Sequence, residues 1–573
     1  MRLAQPRFWI ATLFILSAVC SAQSNATAAA ARAQDAEGHK WWQHAVFYEL
    51  YPRSFADSNN DGIGDLNGIT SKMEYLQKLG IDAIWITPCF PSPQVDFGYD
   101  VSDYKNIDPM YGTLQDFDRM VAAGRQHNVN IILDFVVNHS SDKHPWFIES
   151  KSSKTSPKRD WYVWRDGRGP NMPPNDWISN FGGSGWTFDQ NTGQWYYHYF
   201  YVQQPDLNWR NPQVREAMLD VPRFWYKRGV MGFRLDAVDT LFEDTKLRNN
   251  PLLPGKNSYG DPNEYRLYNT HQPEVHDTLR DIRRVSDEFG AVLIGETWTE
   301  TFRELVRYYG RNNDELQMPM DFKFTEVKTL SPDDFRREIA LIEGTGEWPV
   351  YVLSNHDIRR AYTRYGDGQN NDKIAKMLAA MLLTLRGTPV MYYGEELGME
   401  NNDPTRKEDV KDPIGKIGWP EQKGRDGERT PMQWNTSANA GFSTAAPWLP
   451  VPESYKTHNV DVEDKDPNSI LNFYRQLIQL RRSNPQLHEG NQILLNEQDP
   501  NVLSYLRSYK NGGVVIALNM TNAPRNVRFD LSPYGLKNTT GKVLLSTEPN
   551  TTSANLQQLS LPPYAAYVVE VTP

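Results

Sequence analysis

Runs of consecutive apolar residues punctuate the chain at Val46–Tyr51, Ile81–Ile86, Ile131–Val137, Gly232–Ala237, Val292–Glu296, Met318–Phe324, Val350–Ser354 and Pro389–Tyr393. Each is four to eight residues long, the length of a strand buried on both faces. Most lead into a loop and then an amphipathic stretch. Two such stretches, Met73–Leu79 and Ile374–Leu385, place apolar side chains at i, i+3 and i+4, the stripe of a helix packed on a core. Eight β/α units in succession predict an α/β fold, a closed (β/α)8 TIM barrel. An open doubly wound sheet has the same local pattern and is the rival arrangement.

The rhythm breaks twice. Between the third and fourth runs, His139 to Lys227 is dense in Gly, Pro, Trp, Asn and Asp and has little periodicity. A structureless loop of that length is improbable inside a domain, so residues 140–205 are read as an inserted subdomain after strand 3. After the helix-like Ile470–Arg482, short alternating segments take over, such as Val502–Ser508, Gly513–Leu518 and Val543–Ser546. These predict a separate C-terminal antiparallel β-sandwich domain over 491–573. The barrel then occupies 41–139 and 206–490.

Composition narrows the class. Of 573 residues, 39% are hydrophobic and 23% charged, which excludes disordered and fibrous chains. Net charge is −10, opposite to the basic footprint that nucleic acid or an anionic membrane rewards. Arg2 and Arg7 precede an apolar run from Phe8 to Val19, and Cys20-Ser21-Ala22 offers small residues for cleavage. Residues 1–22 read as a cleavable export leader, too short to be a membrane span. Residues 23–40 read as a flexible lead-in, and the mature protein is expected to be secreted or periplasmic. Cys20 and Cys89 are the only cysteines; loss of the leader would leave Cys89 without an intrachain partner.

Candidate chemistry gathers where strands run into their following loops, the catalytic rim of a β/α barrel. Three acids stand at such ends: Asp236 in GFRLDAVDTL, Glu296 in LIGETW and Asp357 in VLSNHD. His139 closes LDFVVNH, and His356 precedes Asp357. Arg234 shares a strand face with Asp236, two positions on. Clustered carboxylates cannot all ionise, so one pKa is driven up. An anionic carboxylate beside a protonated one is what glycoside cleavage requires.

With DFVVNH at 134–139, GFRLDAV at 232–238, GETW at 295–298, SNHD at 354–357 and QPDLNW at 204–209, the chain resembles the α-amylase superfamily, in its α-glucosidase and oligo-1,6-glucosidase branch. The likeness runs from about Trp41 into the C-terminal domain. It implies a retaining reaction on a small carbohydrate substrate. Asp236 is then the nucleophile, Glu296 the general acid and base, and Asp357 the holder of the 2- and 3-hydroxyls. His139 and His356 would donate to sugar hydroxyls, and Arg234 would orient Asp236 and keep it ionised. The resemblance also places Asp96 of VDFGYD on the 4-hydroxyl of the terminal glucose, Tyr99 beneath its ring, and Arg425 of GRDGERTPMQW against Asp96. A pocket so closed favours exo-acting release of single glucose units. Ala237, after the nucleophile, is the branch's mark of α-1,4 over α-1,6 preference, so maltose and short maltooligosaccharides are expected, with sucrose, isomaltose or glucosyl transfer as alternatives. A catalytically inactive receptor or transporter-associated barrel is the alternative of another class.

In DSNNDGIGD at 57–65, Asp57, Asn59 and Asp61 fall at positions 1, 3 and 5 of a turn, with Gly62, the Ile63 carbonyl and Asp65 following. This is oxygen-rich spacing for a hard cation, and the resemblance implies a structural Ca²⁺ there. No nucleotide-binding or zinc motif is present, and no organic cofactor is expected. Aromatic residues of the insert, Trp186, Trp195 to Tyr197 and Phe200, are expected to roof the pocket. The Tyr365–Asn371 loop and the 400–430 segment are expected to shape its outer side.

Overall fold

The structure, a computed structural model, describes residue 34 and residues 37–573. The leader at 1–22 and most of the lead-in lie outside the described residues.

Each of the eight apolar runs supplies one strand of a parallel sheet: β1 (Phe47–Leu50), β2 (Ala83–Ile86), β3 (Asn130–Val136), β4 (Gly232–Asp236), β5 (Val292–Glu296), β6 (Met318–Met320), β7 (Val350–Val352) and β8 (Thr388–Tyr392). Neighbours follow the order β6-β5-β4-β3-β2-β1-β8-β7. The two ends meet through a parallel bridge between Asp321 and Tyr351, with the Asp321 N–H donating to the Val350 carbonyl at 3.3 Å. That contact closes the sheet and settles the choice between a barrel and an open sheet. The interior is filled by inward side chains such as Phe47, Trp85, Ile132, Ile294 and Val350, all essentially inaccessible.

Helices pack around the barrel by their apolar stripes. Leu114–Gln126 starts at a capping box in which Thr113 and Asp116 satisfy each other's free N–H groups. It buries Phe117, Met120, Val121 and Gly124. Glu274–Phe289 buries Val275, Leu279, Ile282 and Val285 and stops at Gly290, where φ is +67°, a conformation open to glycine at little cost.

Between β3 and the helix Pro212–Lys227 lies a compact insert. It carries the helix Pro145–Ser152 and a three-stranded antiparallel sheet of Trp164–Arg165, Gln194–Tyr197 and Trp186–Asp189. Its apolar centre is Val163, Trp177, Trp186, Tyr197 and Tyr199. Trp186, Trp195 and Tyr197, expected over the pocket, pack in or against this centre instead, because so small a subdomain needs large rings to exclude water from its own interior.

The C-terminal domain is a six-stranded antiparallel sheet: β9 (Asn491–Leu495), β10 (Val502–Tyr509), β11 (Gly512–Asn519), β12 (Thr540–Ser546), β13 (Ser553–Asn555) and β14 (Ala566–Val571), in the order β9-β10-β11-β14-β12-β13. A two-stranded pair, Arg525–Val527 with Leu559–Leu561, shares its apolar cluster. Polar links tie it to the barrel. The Arg507 guanidinium donates to the Thr384 carbonyl at 2.6 Å, and the Arg336 guanidinium donates to the Val502 carbonyl at 3.1 Å. Among the described residues, no helix is long and apolar enough to cross a membrane.

Candidate active site

The predicted residues converge at the C-terminal rim of the barrel. Asp236 ends β4 and Glu296 ends β5, while His356 and Asp357 follow β7. β3 pairs with β4 so that Asp134 lies opposite Arg234 and Val136 opposite Asp236. Arg234 therefore sits at the centre of three acids. Its Nη1 donates to Asp236 Oδ1 at 2.6 Å and to both Asp134 oxygens at 3.0 and 3.1 Å. Its Nη2 stands 2.7 Å from Glu296 Oε2. The guanidinium is buried and lies over the Trp85 ring, 4.9 Å from its centroid.

One cation among three buried carboxylates cannot balance them all. Burial pushes Asp134 up to about 6, against the pull of Arg234. Burial also raises Asp236 well above the usual carboxylate range; Arg234 opposes this and the Glu296 charge adds to it. Arg234 thus hydrogen-bonds Asp236 while also holding Asp134 and Glu296, so its charge is shared among three acids. Asp236 and Glu296 are held by one guanidinium, near enough for the charge of Glu296 to raise Asp236.

Glu296 is fixed from two further sides. The Ala237 N–H donates to Oε2 at 2.9 Å, and the Trp298 indole N–H donates to Oε1 at 2.8 Å. Ala237 can aim its N–H there because its backbone is left-handed, φ +43° and ψ +48°. That conformation is strained for a residue with a Cβ and typical of functional sites. Trp298 stacks on Phe322 at 4.4 Å with rings 7° from parallel.

The far end of the site is a second charge network. Arg425 donates to Asp96 Oδ1 at 2.8 Å, to Asp357 Oδ1 at 2.9 Å and to Asp412 Oδ2 at 2.7 Å. Arg429 adds a bond to Asp357 Oδ1 at 2.7 Å. Burial works to raise Asp357, but His356, Arg425 and Arg429 outweigh it and hold the carboxyl far below its ordinary value. His356 is lowered well below its usual value by burial. Its Nδ1 meets Glu49 Oε1 and its Nε2 meets the Tyr99 hydroxyl, both at 2.6 Å. Tyr99 and His356 stack with rings 7° from parallel. His139 is pushed down to about 3 by burial and is neutral at ordinary pH. Its Nε2 lies 3.1 Å from the Gln204 amide, which also donates to Asp96 Oδ2 at 3.2 Å.

Asp96, Tyr99, His139, Asp236, Glu296, Asp357 and Arg425 line one cavity of about 480 Å³, within the range of small-ligand sites. His356 and Arg234 stand behind that wall. Of the insert's predicted aromatics only Phe200 lines it, joined by Phe181 and Tyr199. Tyr259, from the loop of an antiparallel hairpin (Leu252–Lys256 with Pro262–Glu264), also lines it. Ile414, Gln422 and Arg425 represent the 400–430 segment. The Tyr365–Asn371 loop does not line the cavity. Tyr365 is buried with its hydroxyl on the Val327 carbonyl at 2.7 Å, and Asp367 interacts with Tyr564 of the C-terminal domain.

Sequence reasoning missed Glu49, Asp134, Gln204, Trp298, Asp412 and Arg429 as site residues. Asp134, Gln204, Trp298 and Arg429 lie inside the quoted motifs, so their proximity to the chosen residues was the available signal. Glu49 sits within an apolar run, and its complete burial was the one unusual feature there.

The predicted cation loop lies apart from the cavity. Asp57 accepts from the N–H groups of Asn59, Asn60 and Gly62 at 3.1, 2.7 and 2.8 Å. Asn59 Oδ1 accepts from the Asp61 N–H at 3.0 Å, and Asp61 Oδ1 from the Ile63 N–H at 2.9 Å. Gly62 has φ +89°, and a Cβ there would meet the Ala446 carbonyl at 2.1 Å. Asp65 is turned inward onto Ser58 and the Gly68 N–H, capping the next helix. The donors are all oxygen, the chemistry a hard cation takes.

Comparisons with known proteins agree with this arrangement. Residues 49–490 match the family described as alpha amylase, catalytic domain, and residues 492–568 match maltogenic amylase, C-terminal domain. A probable alpha-glucosidase of Rhizobium meliloti (strain 1021) is 43% identical over 502 residues, covering 84% of this chain and 90% of that protein. An oligo-1,6-glucosidase of Parageobacillus thermoglucosidasius is 37% identical over 564 residues, 93% of this chain and 99% of that one. The crystal structure of isomaltulose synthase from Erwinia rhapontici NX5 superimposes with a TM-score of 0.85 at 35% identity, over 93% of this chain and 100% of that chain. The chain is an enzyme of the α-amylase family, a glycoside hydrolase of family 13.

Proposed function

We propose that the enzyme is a retaining, exo-acting α-glucosidase that removes terminal α-1,4-linked glucose from maltose and short maltooligosaccharides. The observation that carries this is Arg234, which binds the Asp236 and Glu296 carboxylates through its two arms. Two carboxyls held by the two terminal nitrogens of one guanidinium fit the separation of about 5–5.5 Å of a retaining pair better than the gap of about 6.5–9.5 Å that an inverting enzyme needs for its water.

In this reading, Asp236 attacks the anomeric carbon of the terminal glucose while Glu296 gives its proton to the departing glycosidic oxygen. Glu296 must then carry the proton and Asp236 the charge. The bond from Arg234 to Asp236 favours that division. Glu296, now anionic, takes a proton from water, whose oxygen attacks the same carbon and releases Asp236. Two inversions return the α anomer. Asp357, anionic under its two arginines, holds the ring hydroxyls and stabilises positive charge developing on the sugar.

Exo action is supported by the closed end of the cavity. Asp96 is bound by Arg425 and Gln204, and a sugar extended at its 4-hydroxyl would leave these buried polar groups unmatched. The α-1,4 preference rests on Ala237 and the family resemblance. A second reading, α-1,6 cleavage or glucosyl transfer, is favoured by the relatives named oligo-1,6-glucosidase and isomaltulose synthase. An outer cavity of about 360 Å³, sharing Tyr199, Asp239 and Trp298 with the inner one, has room for the leaving sugar or an acceptor.

Ca²⁺ in the loop 57–65 belongs to the same proposal. Asp57, Asn59, Asp61, Asp65 and the Ile63 carbonyl would hold it. Its role would be bracing: the Trp448 N–H donates to the Gly62 carbonyl, Trp448 stacks on Tyr51, and Tyr51 stacks on His356. Export by the leader is also proposed, and the mass of the mature N-terminus tests it. A panel of maltose, isomaltose, sucrose, trehalose and starch, with the released anomer followed by NMR, tests the activity. Fast release of α-glucose from maltose supports the reading; β-glucose, or starch cleaved internally, contradicts it.

A further inference from the structure

Beneath the barrel, opposite the sugar cavity, the segment leading into β1 folds back onto the junction with the C-terminal domain. The carbonyl of Trp42 accepts from Thr388 Oγ1, at the start of β8, at 3.1 Å. On that face three imidazoles gather on one carboxylate. His39 Nδ1 is 2.7 Å from Glu489 Oε2, and His44 Nε2 is 3.2 Å from Glu489 Oε1. The His39, His44 and Glu489 ligand atoms all lie within 4.8 Å of one another. His488 Nδ1 stands 2.6 Å from Glu489 Oε1, and its ring stacks on His44 with centroids 3.6 Å apart.

The geometry points to a structural site for a borderline divalent cation of the Zn²⁺ type, held by His39, His44 and Glu489. Two imidazole nitrogens and a carboxylate oxygen are a donor set that suits Zn²⁺ better than Ca²⁺ or Mg²⁺. Ligand atoms so near one another need only small side-chain rotations to reach bonding distances of about 2.0–2.2 Å. Partial burial helps, with side chains 23%, 12% and 9% exposed for His39, His44 and Glu489. A fourth position is left to water. His488 then orients Glu489 from outside, as outer-sphere partners of metal ligands do.

The consequence is a clip. His39 and His44 lie in the N-terminal segment, and Glu489 ends the short helix Pro485–Glu489 that precedes β9. A bound ion would fasten the segment before β1 to the seam between barrel and C-terminal domain, without contact with the sugar cavity.

The test is a Zn²⁺ titration by calorimetry on the full mature chain without a polyhistidine tag, with Ca²⁺ saturating. One Zn²⁺ per chain and a raised Tm are expected. His39→Ala and Glu489→Gln should abolish both, and His488→Ala should weaken binding about tenfold. Sugar turnover well below Tm should be the same with and without Zn²⁺. No binding by the unaltered chain, or binding unchanged in His39→Ala and Glu489→Gln, would overturn the assignment. So would a Zn²⁺ effect on turnover at fixed temperature, which would place the ion in the sugar cavity.

Discussion

Arg234 reaches across from β4 to the end of β5, where its Nη2 holds Glu296 at 2.7 Å while its Nη1 holds Asp236 at 2.6 Å. A single guanidinium therefore sets the spacing and the charge of the pair proposed to carry out the retaining reaction. Its planar fork is what makes this possible, and an ammonium cannot copy it. Arg234→Lys should keep the positive charge yet lower kcat by at least about 10²-fold, as expected when reacting groups are misplaced by about an ångström. Arg234→Met leaves three buried acids with no cation and should destabilise the fold by about 3–5 kcal/mol. Steady-state rates and denaturant midpoints measure the two effects.

Trp298 is expected to tune the acid. Trp298→Phe keeps a ring to stack on Phe322 but removes the N–H that Glu296 Oε1 accepts at 2.8 Å. Loss of one hydrogen bond to a charged group corresponds to about 1.5–3 kcal/mol, so kcat should fall roughly ten- to hundredfold. A change in KM alone would argue that Trp298 only contacts the leaving sugar.

Stability should fall between neutral and weakly alkaline pH. Burial raises Glu428 to about 8, against the pull of Arg429, and raises Glu463 to about 8. A carboxyl with a raised folded pKa binds its proton more tightly when folded than when unfolded. Its favourable contribution is complete below the unfolded value of about 4.3 and is lost as pH rises toward 8. Asp357 has the opposite sign, but its depressed pKa places that loss in strong acid, and the buried neutral His139 and His356, lowered by burial, oppose only below their unfolded value of about 6.5. Calorimetry should give a higher Tm at pH 7 than at pH 8.5, and Glu463→Gln should shrink the difference. A Tm that rises over this range would contradict protonated Glu428 and Glu463 in the folded chain.

Chelation should weaken the fold without touching the chemistry. If the loop 57–65 holds Ca²⁺, an ion at about a hundred times its Kd stabilises by about 2.7 kcal/mol. EGTA should lower Tm, added Ca²⁺ should restore it, and Asp61→Asn should be insensitive to both. An unaltered chain whose Tm ignores EGTA has no such ion.

Ala237→Val tests linkage preference. The position has φ +43°, which a β-branched side chain tolerates poorly, at about 1–3 kcal/mol. A moderate loss of Tm is expected together with a higher isomaltose-to-maltose rate ratio. An unchanged ratio would remove Ala237 as the determinant.

The barrel was legible because its strands are buried on both faces and therefore read as unbroken apolar runs. Asp236, Glu296 and Asp357 were legible because each interrupts or ends such a run with a charge. Arg425 stood out in its motif, while Arg429, four residues on and equally close to Asp357, did not. Glu49 was hidden because a single acid inside an apolar run looks like noise until its partner, His356, is brought to it from 307 positions away. Tyr259 could not be seen at all. It comes from a hairpin whose strand Leu252–Lys256 is wholly exposed, so no buried alternation marks it. Of the insert's aromatics, Phe200 was placed correctly while Trp186 and Trp195 to Tyr197 were not, because composition tells how many rings there are, and only packing tells which face the sugar.

Covalent trapping of the nucleophile is the most direct test of the central claim, that Asp236 and Glu296 act as a retaining pair. A 5-fluoro-α-glucosyl fluoride should inactivate the enzyme with time. Mass spectrometry should then find one glucosyl adduct, in the peptide that carries Asp236, and none in Asp236→Asn. Turnover that continues without an adduct, or an adduct on another carboxylate, would contradict the account.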